Sequence, residues 1–466
     1  ALLRAAVLEL RAAFVPGPNT APLAIFGEEI DWHLTRPLEP RPARDPEVVA
    51  LLTAADAAAG ELAARTGSRA QALARRFGLD RRELDALLLV LAPDVDARFE
   101  RIFGYLHDDL TRRRASAGLL LRVLAREPTA EAALRRALGR AAALMRDGLV
   151  RRLADPTGGL PAEPLAVDER VGEFLRGEDE VDPRIGRWAR CERGAPGLDG
   201  LSLSARARAR LTALATAWRA GHVRRSIYVH GPAGSGRVAA LAAVSAGLGA
   251  EVLRVATAAL RGEPEERFAG WIEAIRREAL LADRTVVWED ADLLSAEQRA
   301  LLLRRCAAEP PIRAAFVGTE AWAPAGADEP EVVALVRPGF EERRAVWQAA
   351  LERSSAALAE PEIAGLVGAY DLAPGVIHEA VAAAASAARE REGVPEDRRE
   401  GAGAGDEAAR SRDRASGAGR VNVSGDRAYG TCAVRLTRGE VDAAVRRRTA
   451  RSLAGLARPL APRSAW

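Results

Sequence analysis

The sequence predicts a multidomain chain, in which a helical N-terminal region precedes an α/β domain built on a parallel sheet. Apolar residues recur three and four positions apart through the first half, which is the period of an amphipathic helix. After residue 205 the pattern changes to short β-branched runs separated by helical stretches, and this alternation is typical of a parallel α/β sheet. The 466 residues suffice for two or three domains of roughly 100 to 200 residues each.

Proline and glycine divide the helical region. Its predicted helices span residues 47–64, 69–77, 81–91 and 97–110. Residues 155–164 show little periodicity and are predicted to form a loop, and the glycines of residues 194–200 indicate the start of a new domain. The main domain boundary is therefore expected near residue 195.

The α/β domain is predicted to contain five strands with helices between them. The predicted strands are residues 226–230, 251–255, 284–288, 312–317 and 332–336. The predicted helices are residues 237–248, 264–282, 296–307, 341–357 and 375–390. Strands and helices in this alternation can build a doubly wound sheet.

A polar stretch separates the last two predicted helices. Residues 389–425 consist mostly of Arg, Glu, Asp, Gly and Ser. We expect this stretch to be disordered, because it cannot bury enough apolar surface to offset the entropy of ordering. Apolar periodicity resumes at Val434, and residues 437–453 are predicted to form one more helix.

Composition limits the kind of protein. The 68 basic residues exceed the 65 acidic ones by 3, so the charge does not imply a nucleic-acid partner. The sequence contains no lysine, so all of the basic residues are arginine. The three cysteines, Cys191, Cys306 and Cys432, fit neither a disulfide framework nor a metal site, which favours a cytoplasmic location. The apolar runs are all shorter than the roughly 20 residues of a membrane span, so no membrane partner is expected.

A glycine-rich loop follows the first predicted strand. Residues 226–238 read SIYVHGPAGSGRV, which is an apolar strand, a loop and the start of a helix. Glycines let the backbone wrap closely around phosphate groups, and the N–H groups at the helix start supply hydrogen-bond donors. The pattern predicts a P-loop nucleotide site formed by Gly231, Pro232, Ala233, Gly234, Ser235, Gly236, Arg237 and Val238. Arg237 stands where P-loops have the lysine that reaches the phosphates, and Val238 stands where they have the hydroxyl that holds Mg²⁺.

Acidic and polar residues follow two later strands. Residues 285–292 read TVVWEDAD, which predicts a Walker B strand with Glu289 and Asp290 as candidate catalytic residues and Mg²⁺ ligands. The pair is in the reverse of the usual Asp-Glu order, and a solvated turn or a helix cap also carries such a pair. Thr319 is a candidate for the polar residue beside the γ-phosphate, and a structural turn is an equally open interpretation.

In this order and spacing, the motifs resemble the AAA+ ATPase family over residues 224–453. The resemblance implies a sheet with strand order 5-1-4-3-2, a helical lid at residues 340–389, and ATP or ADP as the cofactor, with Mg²⁺ as a candidate ion. It also implies a homo-oligomeric ring, expected to be a hexamer, that acts on protein partners. His378 stands where the lid of this family often has a phosphate-sensing arginine. Because Arg237 and Val238 replace the lysine and the hydroxyl, we expect weak hydrolysis or none.

A second resemblance covers the N-terminal half. Its segments are FGLDRRELDALLLVLAPDVDARF at residues 77–99, FGYLHDDLTRRR at residues 103–114 and PLAVDERVGEFL at residues 164–175. They are similar to the winged-helix region of large bacterial AAA-family ATPases, some of which are encoded with phage-tail-like contractile injection systems. The resemblance implies that the first ATPase domain is degenerate. Residues 453–466 resemble the connection to an intact second ATPase domain that this chain does not contain.

The sequence therefore predicts the regulatory half of an AAA-family ATPase, with a degenerate Walker A motif. The expected divisions are an N-terminal helical segment (1–46), a helical and winged-helix domain (47–195), a degenerate P-loop domain (196–339), a helical lid (340–389), a disordered insert (390–426) and a last lid helix with its connector (427–466). Two alternatives stay open: a ring-forming scaffold that uses no nucleotide, and a nucleic-acid regulator built on the winged helix. The second has little support, because no basic recognition helix stands out.

Overall fold

A computed structural model of the chain describes residues 2–13, 46–64, 67–125, 128–154, 159–194, 197–322, 330–392 and 433–454. The N-terminal half of this structure is largely helical. Its helices are α1 (Leu2–Ala13), α2 (Pro46–Ala64), α3 (Arg69–Phe77), α4 (Arg81–Val95), α5 (Arg98–His107), α6 (Ala117–Leu124), α7 (Pro128–Ala137), α8 (Ala143–Arg146) and α9 (Glu169–Arg176). Two short strands, β1 (Val150–Arg152) and β2 (Leu165–Val167), pair antiparallel between α8 and α9.

Local signals explain where α4 begins and ends. The Asp80 carboxylate accepts a hydrogen bond from the Glu83 amide at 2.8 Å, and the Glu83 carboxylate accepts one from the Asp80 amide at 2.9 Å. This reciprocal capping box satisfies two amides that a helix start leaves without partners. The helix continues past its predicted end at residue 91, because Pro93 is buried with the apolar face of the helix.

The second half contains a sheet with six strands in the described residues. They are β3 (Ala189–Glu192), β4 (Ile227–His230), β5 (Val252–Ala256), β6 (Thr285–Glu289), β7 (Ala314–Gly318) and β8 (Glu331–Ala334). Their spatial order is β3-β5-β6-β7-β4-β8. The five strands β4 to β8 are parallel, and numbered in chain order from the β8 edge they lie in the order 5-1-4-3-2. The sixth strand, β3, pairs antiparallel with β5.

Strand β3 moves the start of the α/β domain toward the N-terminus. The sequence predicts no strand here and a domain limit at residues 195 and 196. Ala189 pairs with Val255 on β5, and Ile185 and Trp188 are buried in the same core as Tyr228 on β4. Residues 185–192, which precede the predicted limit, therefore complete both the sheet edge and its core.

Helices cover both faces of the sheet. On one face lie α10 (Ala205–Arg219) and α11 (Arg237–Ala246), and on the other lie α12 (Glu265–Ala282) and α13 (Ala296–Ala307). Alternate residues of β4 serve the two faces: Ile227 and Val229 pack with α10 and α11, whereas Tyr228 packs with α12 and α13. Both faces of a parallel sheet are apolar for this reason, and the strand reads as a continuous apolar run.

A helical domain follows the sheet. It comprises α14 (Phe340–Arg353), α15 (Glu360–Ala369), α16 (Pro374–Glu392) and α17 (Arg438–Ala454), with the short parallel strands β9 (Ala356–Ala357) and β10 (Val434–Arg435). Trp347 is fully buried at its centre, among apolar residues of all four helices. The predicted helix 341–357 ends at Arg353, and α15 was not predicted. Most of the expected disordered insert, and residues 455–466 of the expected connector, lie outside the described residues.

A buried ionic cluster joins the N-terminal half to the α/β domain. The Glu278 carboxylate on α12 accepts hydrogen bonds from Arg170 on α9, at 2.8 Å from Nε, and from Arg284 at the start of β6. The three side chains are 0%, 1% and 2% exposed. The Asp182 amide also donates to Glu278, at 3.4 Å. The two halves are therefore connected by charges that are shielded from water.

Candidate functional site

The glycine-rich loop spans residues 231–236, between the end of β4 and the start of α11. Gly231, Gly234 and Gly236 have φ angles of 154°, 79° and 85°. A Cβ atom at Gly231 would lie 2.3 Å from the carbonyl oxygen of Leu335, and one at Gly234 would lie 2.8 Å from Cγ2 of Val376. Glycine is therefore required at both positions by conformation and by close neighbours.

Backbone hydrogen bonds fix the loop from two directions. The Gly231 amide donates to the carbonyl of Gly318 at the end of β7, at 3.3 Å. The carbonyl of Gly234 accepts from the Gly375 amide in the first turn of α16, at 2.8 Å. The loop thus lies between the carboxyl ends of the strands and the helical domain, which is where ligands bind in open α/β sheets.

The first turn of α11 offers free backbone donors to this loop. The helix begins after Gly236, which has no side chain to cap it, and the first amide to make an intrahelical bond is that of Ala240. Ser235 is 4% exposed, and its hydroxyl has no hydrogen-bond partner among the described residues. Uncapped amides at a helix start, with the positive end of the helix dipole, bind anions such as phosphate.

The two departures from the P-loop pattern have visible consequences. The guanidinium of Arg237 donates through Nη1 to the carbonyl of Gly318, the same oxygen that accepts from Gly231. Arg237 therefore closes the loop back onto β7. Val238 packs against the apolar core on the α10 and α11 face and offers no oxygen atom.

The predicted acidic residue Glu289, at the end of β6, lies in an ion pair. Its Oε1 accepts from Nε of Arg254 on the neighbouring strand β5 at 2.5 Å, and Arg254 also donates to Glu192 on β3 at 2.9 Å. Glu289 is therefore the end of a row of alternating charges that crosses three strands. The interaction with Glu289 and Glu192 raises the pKa of Arg254, although burial opposes the rise.

Asp290 has a strained backbone and a perturbed carboxyl group. Its φ of 53° lies in the left-handed region, which a non-glycine residue adopts at a cost. Burial raises the pKa of Asp290, and the neighbouring carboxylates of Asp292 and Glu289 add to the rise, whereas Arg237 opposes it.

Asp292 positions the predicted polar residue Thr319. Its Oδ2 accepts hydrogen bonds from the Thr319 amide at 2.8 Å, the Thr319 hydroxyl at 2.9 Å and the Glu320 amide at 3.2 Å. Burial raises the pKa of Asp292, but these hydrogen bonds outweigh it and hold the pKa below its ordinary value. Asp292 was not among the predicted site residues, although the third carboxylate of the sequence EDAD was a visible signal.

His378 lies on α16, one turn beyond the residues that contact the glycine loop. It is half-buried, and its Nδ1 has no partner among the described residues. Burial lowers the pKa of His378, and Arg353 lowers it further. The imidazole is therefore neutral at neutral pH and does not replace the positive charge of a phosphate-sensing arginine.

Together these residues form a loop of the P-loop type between a parallel sheet and a helical domain. Family models match two parts of the chain. The model of the winged helix domain, variant, matches residues 38–189, and the model of the contractile injection system ATPase helical domain matches residues 339–416. The two matches confirm the resemblance seen in the sequence, to a winged-helix region in the N-terminal half and to the helical domain of contractile injection system ATPases.

Comparisons with solved structures and with curated proteins add little to these matches. The AAA domain of FIGL-1 in complex with ADP is 13% identical, with a TM-score of 0.38, over 46% of this chain and 82% of that one. Another structure of the FIGL-1 AAA domain is 12% identical, with a TM-score of 0.36, over 63% and 91%. No curated protein matches the chain. The resemblance to contractile injection system ATPases therefore rests on the two family matches and on the sequence motifs, and not on the FIGL-1 structures.

Among the residues that the structure describes, each helix is too short or too polar to cross a lipid bilayer.

Proposed function

We propose that this chain is the regulatory half of a contractile injection system ATPase, and that its P-loop domain binds ATP or ADP but hydrolyses ATP slowly or not at all. The observation that carries the proposal is the glycine loop itself. Its uncapped α11 amides and the arginine at its end form a phosphate-binding surface, held in place by Gly318 and Gly375. The glycine loop and the first turn of α11, which surround the phosphates in a P-loop domain, are therefore preorganised.

The contacts of the acidic residues and of Arg237 support slow hydrolysis or none. Phosphoryl transfer depends on positioned charges and on a residue that orients the attacking water. Glu289 is held in an ion pair with Arg254, and Asp290 after it has a left-handed backbone, so the acidic pair does not have the usual setting of a water-orienting base. Arg237 donates to a backbone carbonyl where a P-loop lysine would reach the phosphates.

Nucleotide titration and a turnover assay on the purified chain test this proposal. We expect ATP and ADP to bind, with turnover far below the order of 1 s⁻¹ seen for active phosphoryl-transfer enzymes. Arg237→Ala should weaken binding, since it removes the cation of the loop. Turnover of order 1 s⁻¹ that is lost in Asp290→Asn would show that the domain is an active ATPase.

We further propose that the chain acts in the cytoplasm as part of a homo-oligomeric ring, a hexamer by family resemblance, that engages protein partners. The family match of residues 339–416 supports this, because the helical domain is named for ATPases of contractile injection systems. Light scattering of the chain with and without nucleotide tests assembly, and a monomer under both conditions would contradict the ring.

The nucleotide-independent scaffold has one observation in its favour. Because Arg237 and Gly231 share the carbonyl of Gly318, the loop is closed by its own residues. If calorimetry detects no ATP or ADP binding while the oligomer persists, the scaffold is the better description.

A further inference from the structure

The P-loop of this chain has a cation of its own. Arg237 donates to the Gly318 carbonyl. A guanidinium has five N–H donors, so the bond to Gly318 leaves the others for further acceptors. It is always ionised and binds phosphate oxygens in pairs. One side chain can therefore hold the loop to β7 and bind a phosphate group.

The donors that Mg²⁺ requires in a P-loop do not fit here. Magnesium takes oxygen ligands in a near-octahedral arrangement, usually from carboxylates, a hydroxyl and the substrate phosphates. Val238 has no hydroxyl, and the Glu289 carboxylate is paired with Arg254. The Asp292 carboxylate is committed to Thr319 and Glu320. Within the described ranges, no three His, Cys, Asp or Glu side chains converge to hold a metal ion.

We infer that this P-loop binds its nucleotide without a divalent cation, and that Arg237 supplies the positive charge that Mg²⁺ supplies in other P-loops. The inference rests on the proposed nucleotide binding and narrows the ligand to the metal-free nucleotide. It replaces the prediction that Glu289 and Asp290 hold Mg²⁺.

ADP titrated into the whole chain, once with excess MgCl₂ and once with excess EDTA, tests the inference. We expect the two dissociation constants to agree within about threefold, a difference well below one tenfold step in affinity. Affinity more than about tenfold weaker in EDTA would overturn the inference and leave the proposed nucleotide binding intact. Absence of binding in both buffers would instead overturn the proposed function, and the inference with it.

Two variants and a control make the test specific. The double variant Arg237→Lys with Val238→Thr restores the usual P-loop residues and should make ADP affinity depend on Mg²⁺ by about tenfold or more. Arg237→Ala should bind ADP at least about tenfold more weakly in both buffers. The control is Arg267→Ala, which removes a 74% exposed arginine of α12 and should bind like the wild type. Thermal unfolding of each variant establishes that it is folded. Unchanged affinity of Arg237→Ala would overturn the inference.

Discussion

Replacing Glu278 with glutamine should loosen the connection between the N-terminal half and the α/β domain. The Glu278 carboxylate is fully buried and accepts from Arg170 and Arg284, whose side chains are 1% and 2% exposed. Glu278→Gln keeps the volume but leaves the buried Arg170 guanidinium without its counter-charge, whereas Arg284 keeps its ion pair with Glu251 at 3.1 Å. Removing one partner of a buried ion pair costs about 3–5 kcal/mol. We expect a loss within that range, because Arg170 loses its carboxylate and Arg284 keeps one.

Urea unfolding, followed by tryptophan fluorescence and by circular dichroism, measures this loss. The two signals should be compared, because a multidomain chain need not unfold in one step. The matched control is Glu131→Gln, which removes the partner of Arg135 from an exposed pair whose side chains are 47% and 58% exposed. The control should unfold like the wild type, since exposed pairs contribute little. A loss below about 1 kcal/mol for Glu278→Gln would refute the view that this carboxylate holds the two arginines in place.

Three other predictions concern the acidic residues of the site and the helical domain. Asp290→Asn should raise the melting temperature at neutral pH. A raised pKa means that the folded state loses stability as pH rises through the carboxyl range, and asparagine removes this charge while tolerating the left-handed backbone as aspartate does. A gain in melting temperature that persists below about pH 3, where the carboxyl group is protonated in both the folded and the unfolded state, would contradict this. Asp292→Asn should lower the melting temperature at neutral pH, because a lowered pKa gives stability above the unfolded pKa that disappears as pH falls through the folded pKa. The melting temperatures of variant and wild type should converge as pH falls from neutral to below about pH 4, and a constant difference would be inconsistent with the charge of Asp292. Trp347→Ala should cost about 3–5 kcal/mol in urea unfolding, since the ring is fully buried in the helical domain, and a cost similar to a surface change would mean that this core is loosely packed.

The sequence allowed the parallel strands to be predicted because each is a short apolar run that both faces of the sheet bury. Helix α13 was predicted at its observed limits, since Ser295 and Gln298 form a capping box at its start. Strand β3 could not be predicted in the same way. Its residues, Ala-Arg-Cys-Glu, have no β-branched pattern, and it becomes a strand through antiparallel pairing with β5, more than fifty residues away.

The candidate site was predictable where the backbone determines it and not where side chains meet across strands. The glycine loop was visible in the spacing of Gly231 and Gly236, because a P-loop needs glycine at fixed positions. The partner of Glu289 was not visible, since Arg254 lies on a different strand, 35 residues earlier in the chain. The role of Asp292 as acceptor for Thr319 likewise depends on β6 and β7 being neighbours.

Strand β3 also determines how this protein can be divided for experiment. A fragment that begins at residue 196, the limit expected from the sequence, would lack β3 and the buried side chains of Ile185 and Trp188. The backbone donors and acceptors of β5 would become a free sheet edge beside an open apolar surface, a combination that promotes pairing between copies and aggregation. A fragment that begins between residues 171 and 180 keeps the edge covered, although it loses Arg170. Residues 185–192, between the winged helix and the P-loop, are therefore needed to complete the sheet of the P-loop domain. Poor solubility of a fragment that begins at residue 196 would show that this domain begins before that residue.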